Sequence, residues 1–204
     1  SPGDPLFVTY SMNKEDIWVA RIPVPIRTKA MLHADDDFSG KGVIDRWNIM
    51  SAVQAPVRIE NGQLTLADRD RFDFAKAERV IPATRCLEAE MTITPMQDNH
   101  GELLLELLDE HGNACTRLTF QPDGMLTVKT GARYNNVLKS YTAGKAYALR
   151  LQCNLDTRMV TIWVDGKKTG PKMLFAPVAS ITRLSFRTGG RRTEPTIDSP
   201  ADTP

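Results

Sequence analysis

Leu149 to Lys168 reads LRLQCNLDTRMVTIWVDGKK, and the phase of its apolar residues decides the fold. Leu149, Leu151 and Cys153 alternate with Arg150 and Gln152; after Asn154-Leu155-Asp156-Thr157, Val160, Ile162 and Val164 alternate with Thr161, Trp163 and Asp165. A period of two puts one set of side chains on a buried face and the other in water, as in an antiparallel sheet covering a core. The turn between the runs and the Asp165-Gly166 dipeptide, which tolerates the positive φ of a tight hairpin, bound the two strands.

The same grammar continues outward. Val57-Arg58-Ile59 and Leu64-Thr65-Leu66 flank Asn61-Gly62, a strong hairpin signal. Leu87, Ala89, Met91 and Ile93 share one phase, with Glu88, Glu90, Thr92 and Thr94 on the other. Leu103–Leu108 is apolar throughout but short, and turn residues bracket it, so a strand buried on both faces is expected rather than a helix. Thr116–Phe120 and Met125–Val128 form a hairpin about Pro122-Asp123-Gly124, and Ile181–Arg187 is a last strand in which Ile181, Leu184 and Phe186 compete for register. Tyr134, Val137 and Tyr141 read as a loop. Short strands with frequent turns predict an all-β antiparallel sandwich over an α/β fold.

The chain has 204 residues, 41% hydrophobic and 25% charged, enough for a core without disulfide or metal staples. A net charge of +1 gives no electrostatic case for nucleic acid or an anionic membrane. No apolar run approaches the ~20 residues of a membrane span. The chain opens on Ser1 with no signal-peptide pattern, which suggests a mature or excised piece. Three widely spaced cysteines, Cys86, Cys115 and Cys153, offer no disulfide framework and no zinc spacing, and are expected as buried thiols, the alternative being one pair and an odd thiol.

Residues 1–27 differ in character. Leu6–Tyr10 and Ile17–Arg21 form a hairpin about a polar connector, and Pro23 and Pro25 stiffen the extended segment Ile22–Ile26. The run VTYSMNKEDIWVARIPVP resembles the closing strands of a BNR-repeat, sialidase-like β-propeller of carbohydrate-active enzymes. Asp37-Phe38-Ser39-Gly40, then Trp47, then Gly62, Leu64 and Leu66 are similar to the entry of a concanavalin A-like, laminin G-like jelly roll, with Phe38 and Trp47 as early core anchors. The resemblance implies a remnant of a preceding propeller over 1–27, a β-sandwich over 28–190 and a tail over 191–204. It also implies an extracytoplasmic (secreted or periplasmic) setting and a non-catalytic accessory role in a glycan-degrading enzyme, whose missing N-terminal domain is one partner and a polysaccharide another. A glycoside hydrolase or lyase in its own right and a laminin G-like protein-interaction module are the alternatives.

Residues 68–79 form the most polar and aromatic loop of the sequence. Asp68, Asp70 and Asp73 are acceptors, Arg69, Arg71, Lys76 and Arg79 donors, and Phe72 and Phe74 platforms for a sugar ring or for a domain interface. The DRDxFDFAKAxR pattern also resembles a run in the sandwiches appended to such propellers. Trp163, Tyr134 and Tyr141 are candidate exposed aromatics. Glycosidases need two carboxyl groups about the scissile bond; Glu88 with Glu90, and Glu102 with Glu106, are the pairs that share a face, without a third acid in step. Asp35, Asp36 and Asp37 with Asp198 are candidate Ca²⁺ ligands. His33, His100 and His111 lack metal or triad spacing.

Overall fold

The computed structural model describes residues 6–12, 16–22, 35–40, 46–69, 74–131 and 134–189. The elements, in chain order, are β1 (Leu6–Met12), β2 (Asp16–Ile22), β3 (Trp47–Met50), β4 (Val57–Glu60), β5 (Gln63–Leu66), β6 (Lys76–Thr84), β7 (Cys86–Ile93), β8 (Leu103–Leu108), β9 (Ala114–Phe120), β10 (Met125–Thr130), β11 (Tyr134–Ser140), β12 (Tyr147–Asn154), β13 (Met159–Val164), β14 (Lys167–Lys168), β15 (Lys172–Met173) and β16 (Ile181–Thr188). Strands β11-β10-β9-β8-β16-β6-β3 form a seven-stranded antiparallel sheet, and β14-β13-β12-β7, with β15 on β13, form a five-stranded one. β4 and β5 are a separate hairpin, as are β1 and β2, which pair from Leu6↔Ile22 to Met12↔Asp16. No helix of the described residues is long and apolar enough to cross a membrane.

The two large sheets stack into a jelly-roll sandwich. Leu149, Leu151 and Cys153 of β12 and Val160, Ile162 and Val164 of β13 are all buried, as their alternation predicts, and meet Leu105, Leu107, Leu118, Phe120, Leu126 and Val128 of the larger sheet. Three rings close one side of this layer: Phe120 stands edge-on to Tyr141 at 5.0 Å, and Tyr141 edge-on to Tyr147 at 6.5 Å. A second cluster gathers Trp47, Ala55, Val57, Ala75 and Ala77, with Phe38 packed on Trp47 at 5.9 Å.

Both dipeptide turns form. Asn61 and Gly62 have φ of 52° and 71°, and Asp165 and Gly166 have 51° and 75°, the paired left-handed geometry that lets a two-residue loop follow strand twist. Asp165 does more than turn the chain. Its carboxylate accepts from Lys139 Nζ at 2.5 Å and from the Ala148 amide at 3.0 Å. The Lys139 bond, then the Ala148 amide, hold its pKa below the ordinary carboxylate value. A folded pKa below the unfolded one means stabilisation that is full above about pH 4 and is lost as pH falls through the folded value. Asp165→Asn keeps the turn geometry and removes this charge. The wild-type advantage in melting temperature over Asp165→Asn is therefore expected at neutral pH and should shrink progressively as pH falls below about 4.

Several expectations are corrected. Tyr134–Ser140 is strand β11, not loop, because it pairs with β10 from Met125↔Ser140 to Thr130↔Tyr134. Tyr141 is 6% exposed, inside the core, and its hydroxyl donates to the Gln121 carbonyl at 2.5 Å. Cys86 is exposed, because it shares the outward phase of Glu88 and Glu90, whereas Cys115 and Cys153 are buried as expected. The segment read as a loop to Arg79 becomes strand β6 from Lys76 onward, paired with β3 and β16.

Candidate functional site

The polar run at 68–79 divides. Asp70, Arg71, Phe72 and Asp73 lie outside the described residues, as does Asp198. Arg69 is exposed, while Asp68 and Phe74 are half-buried and flank Gly189, where an added Cβ would come within 3.3 Å of Asp68 Oδ2 and 3.7 Å of Phe74 Cβ. The Phe74 ring carries the Arg187 guanidinium at 5.1 Å. Lys76 is bound to Glu78 at 2.5 Å. Arg79 is 4% exposed and turns to the inner side of β6, where Nε meets Asp36 Oδ2 at 3.1 Å and Nη1 donates to the Arg46 carbonyl at 2.6 Å. Of the described residues here, the Phe74 ring thus supports a cation and Arg79 is bound to Asp36 and the Arg46 carbonyl.

The acidic corner is tied to the same arginine. Asp36 sits between Arg79 and Arg46, the latter at 3.3 Å. Asp37 accepts from the amide and hydroxyl of Ser39 at 3.0 and 2.8 Å, and those bonds lower its pKa. Asp35 is exposed. Among the described residues no three or more His, Cys, Asp or Glu converge as a metal site.

Trp163 is half-buried on the outer face of the smaller sheet, with the Arg150 guanidinium at 4.9 Å and the Lys168 ammonium at 5.4 Å from its ring centre. Arg150 also binds Glu88 at 2.6 Å and Glu90 at 3.4 Å. The two carboxylates considered for glycosidic chemistry thus share one guanidinium on a sheet's outer face. Glu106 is buried on Arg117 at 2.5 Å. His100 and His111 are exposed.

The structure shows an arrangement that the sequence did not. Two adjoining hollows, of about 410 and 320 Å³, run across the ends of both sheets and share Gly131 and Met173. Their walls are tied by backbone bonds from Gly131 to Leu174 (3.1 Å) and from Leu174 to Arg158 (3.0 Å). Tyr134, 71% exposed, stands in the first with Thr130, Asn136 and Lys172; Leu155, Leu174, Phe175 and Val178 floor the second beside Arg85 and Arg158. Asn136 Nδ2 donates to Thr130 Oγ1 at 2.5 Å, which fixes the amide beside the ring. An exposed aromatic face flanked by amide, hydroxyl and cationic groups suits a sugar ring, which offers an apolar face and a polar edge. Arg158 holds φ of 56°, a left-handed conformation rare for a long side chain. An Arg one place after Asp156-Thr157, where such a turn favours Gly or Asn, was the available signal.

Residues 47–203 match a protein family described as "Sialidase-like, CBM domain". A solved sialidase structure is 46% identical with a TM-score of 0.87; the match covers 98% of this chain and 19% of that one, so the chain spans a minor part of that sialidase's length. A Bacillus licheniformis β-glucanase (9% identity, TM-score 0.56, 76% of this chain and 83% of that one) and the Crh5 transglycosylase in its apo form (12%, 0.59, 75% and 67%) share the fold. No curated protein matches the chain.

Proposed function

Because the chain belongs to the sialidase-like carbohydrate-binding-module family, we propose that it is a carbohydrate-binding accessory domain of a larger glycan-degrading enzyme, working outside the cytoplasm. The family match over 47–203 is the observation that carries this reading. The small share of the sialidase chain that is covered supports a role as one part of a longer polypeptide. In this reading β1 and β2 close the preceding domain, and the sandwich supports that domain while it holds glycan.

Tyr134 is the aromatic we assign to sugar stacking. Trp163 and Phe74 each carry a cation over the ring, and Tyr141 is inside the core. A stacked aromatic contributes roughly 1 kcal/mol beyond the area it covers, which together with that area corresponds to about a tenfold or greater loss on truncation. The test is a glycan-array screen of this chain, followed by calorimetry of the best glycan against the Tyr134→Ala variant. Expected are weak binding by the wild type and at least about a tenfold loss in the variant. An array with no bound glycan would remove the carbohydrate reading. Unchanged affinity in Tyr134→Ala would move the site away from this groove.

A further inference from the structure

We propose that Cys115 and Cys153 are a dithiol placed to close into a disulfide linking the two sheets of the sandwich. This goes beyond the carbohydrate reading and does not depend on it. Cys115 lies on β9 of the larger sheet and Cys153 on β12 of the smaller, and both are buried, at 0% and 1% exposure. Their side chains meet in the apolar layer. Thr116 Oγ1 lies 3.9 Å from Cys115 Sγ and 3.7 Å from Cys153 Sγ, so one hydroxyl touches both thiols. Two cysteines from opposite layers thus share one buried neighbour within a single core cluster.

Register selects this pair from the three cysteines. Cys86 lies on β7, where it pairs with Asn154, while Cys153 pairs with Leu87. Cys86 and Cys153 are therefore one residue out of step on adjacent strands, and side chains one step apart point to opposite faces of a sheet. Cys86 is exposed and Cys153 faces the core. A Cys86–Cys153 bond would require one strand to turn over.

The chemistry balances with a disulfide oxidant such as oxidised glutathione. Both S–H bonds break and one S–S bond forms; the oxidant takes the two electrons and two protons and leaves as two thiols. Both thiols are buried, at 0% and 1% exposure, so a disulfide oxidant reaches them only before the core has closed. Bond formation therefore belongs to folding in an oxidising compartment.

The experiment is refolding of the full chain, and of the Cys86→Ser variant, in a glutathione redox buffer and in reductant. Trypsin leaves Cys86 and Cys115 together on the peptide 86–117, with Cys153 on 151–158, so Cys86→Ser makes the assignment unambiguous. After oxidation the variant should lose the mass of two hydrogens and show no titratable thiol when denatured, with 86–117 joined to 151–158. The wild type should keep one titratable thiol, placed on Cys86 by a second cleavage at the glutamates between Cys86 and Cys115. Closing a loop of this length should raise the melting temperature by roughly 5–10 °C over the reduced chain. Two thiols remaining in a refolded, oxidised Cys86→Ser chain would overturn the proposal. So would a wild-type bond that includes Cys86.

Discussion

Replacing Phe120 with Ala should destabilise the domain by about 4–5 kcal/mol, near the upper end for a core aromatic. The magnitude comes from the surroundings of the ring. Phe120 is 2% exposed and packs edge-on against Tyr141 at 5.0 Å, with Tyr147 at 6.5 Å. Neither tyrosine is free to relax into the space. The Tyr141 hydroxyl is fixed on the Gln121 carbonyl, and the Tyr147 hydroxyl accepts from the Thr142 amide at 2.8 Å. A cavity that cannot collapse keeps its full cost, and the lost edge-to-face contacts add about 0.5–1.5 kcal/mol to the transfer term. Urea denaturation should show a lower midpoint with an unchanged slope, and the melting temperature should fall by about 10 °C. Met96→Ala, at a position 79% exposed, should stay within about 0.5 kcal/mol of wild type. A loss below about 2 kcal/mol in Phe120→Ala would mean that the three rings repack, contrary to the hydrogen bonds that hold them.

The sandwich was readable wherever a local pattern had only one physical outcome. Asn61-Gly62 and Asp165-Gly166 adopt the left-handed pairs that a two-residue hairpin requires. Leu103–Leu108 is buried on nearly all positions because it is the middle strand of seven, covered on both faces. The Ile181–Leu184–Phe186 conflict was also real. A register shift lies between Ile181 and Arg183, where β16 advances two residues while β6 advances four, from Thr84 to Val80, so the ladder is irregular where Ile181 departs from the phase of Leu184 and Phe186. Periodicity alone cannot place such an irregularity.

What failed depended on partners outside the segment being read. Tyr134-Asn135-Asn136 has loop composition, yet β10 supplies the hydrogen bonds that make it a strand. The groove at the sheet ends joins residues from 85 to 178, and no spacing rule brings those together. Arg79 looked like a solvated donor in a charged run. Only the pairing of β6 with β3 shows that its phase faces inward.

That inward arginine gives the second large effect. Arg79 and Asp36 have side chains 5% and 7% exposed and are held at 3.1 Å, with the Arg46 carbonyl accepting a further bond. Breaking a buried pair from one side strands the other charge without its partner and costs about 3–5 kcal/mol. Arg79→Met should show this loss almost in full, since the remaining cation on Asp36, Arg46, is half in solvent. Asp36→Ala should also destabilise, by taking the 3.1 Å carboxylate contact from the Arg79 guanidinium. The two changes should not add. With both charges gone, the double variant has no stranded ion, so its loss should fall short of the sum by about 2 kcal/mol or more. The cycle, measured by urea denaturation at neutral pH, also tests the reading of the acidic corner. Additivity within about 0.5 kcal/mol would show that Asp36 and Arg79 are solvated independently. The Asp35–Asp37 turn would then be available to a ligand rather than committed to anchoring residues 35–40 on the edge of the larger sheet.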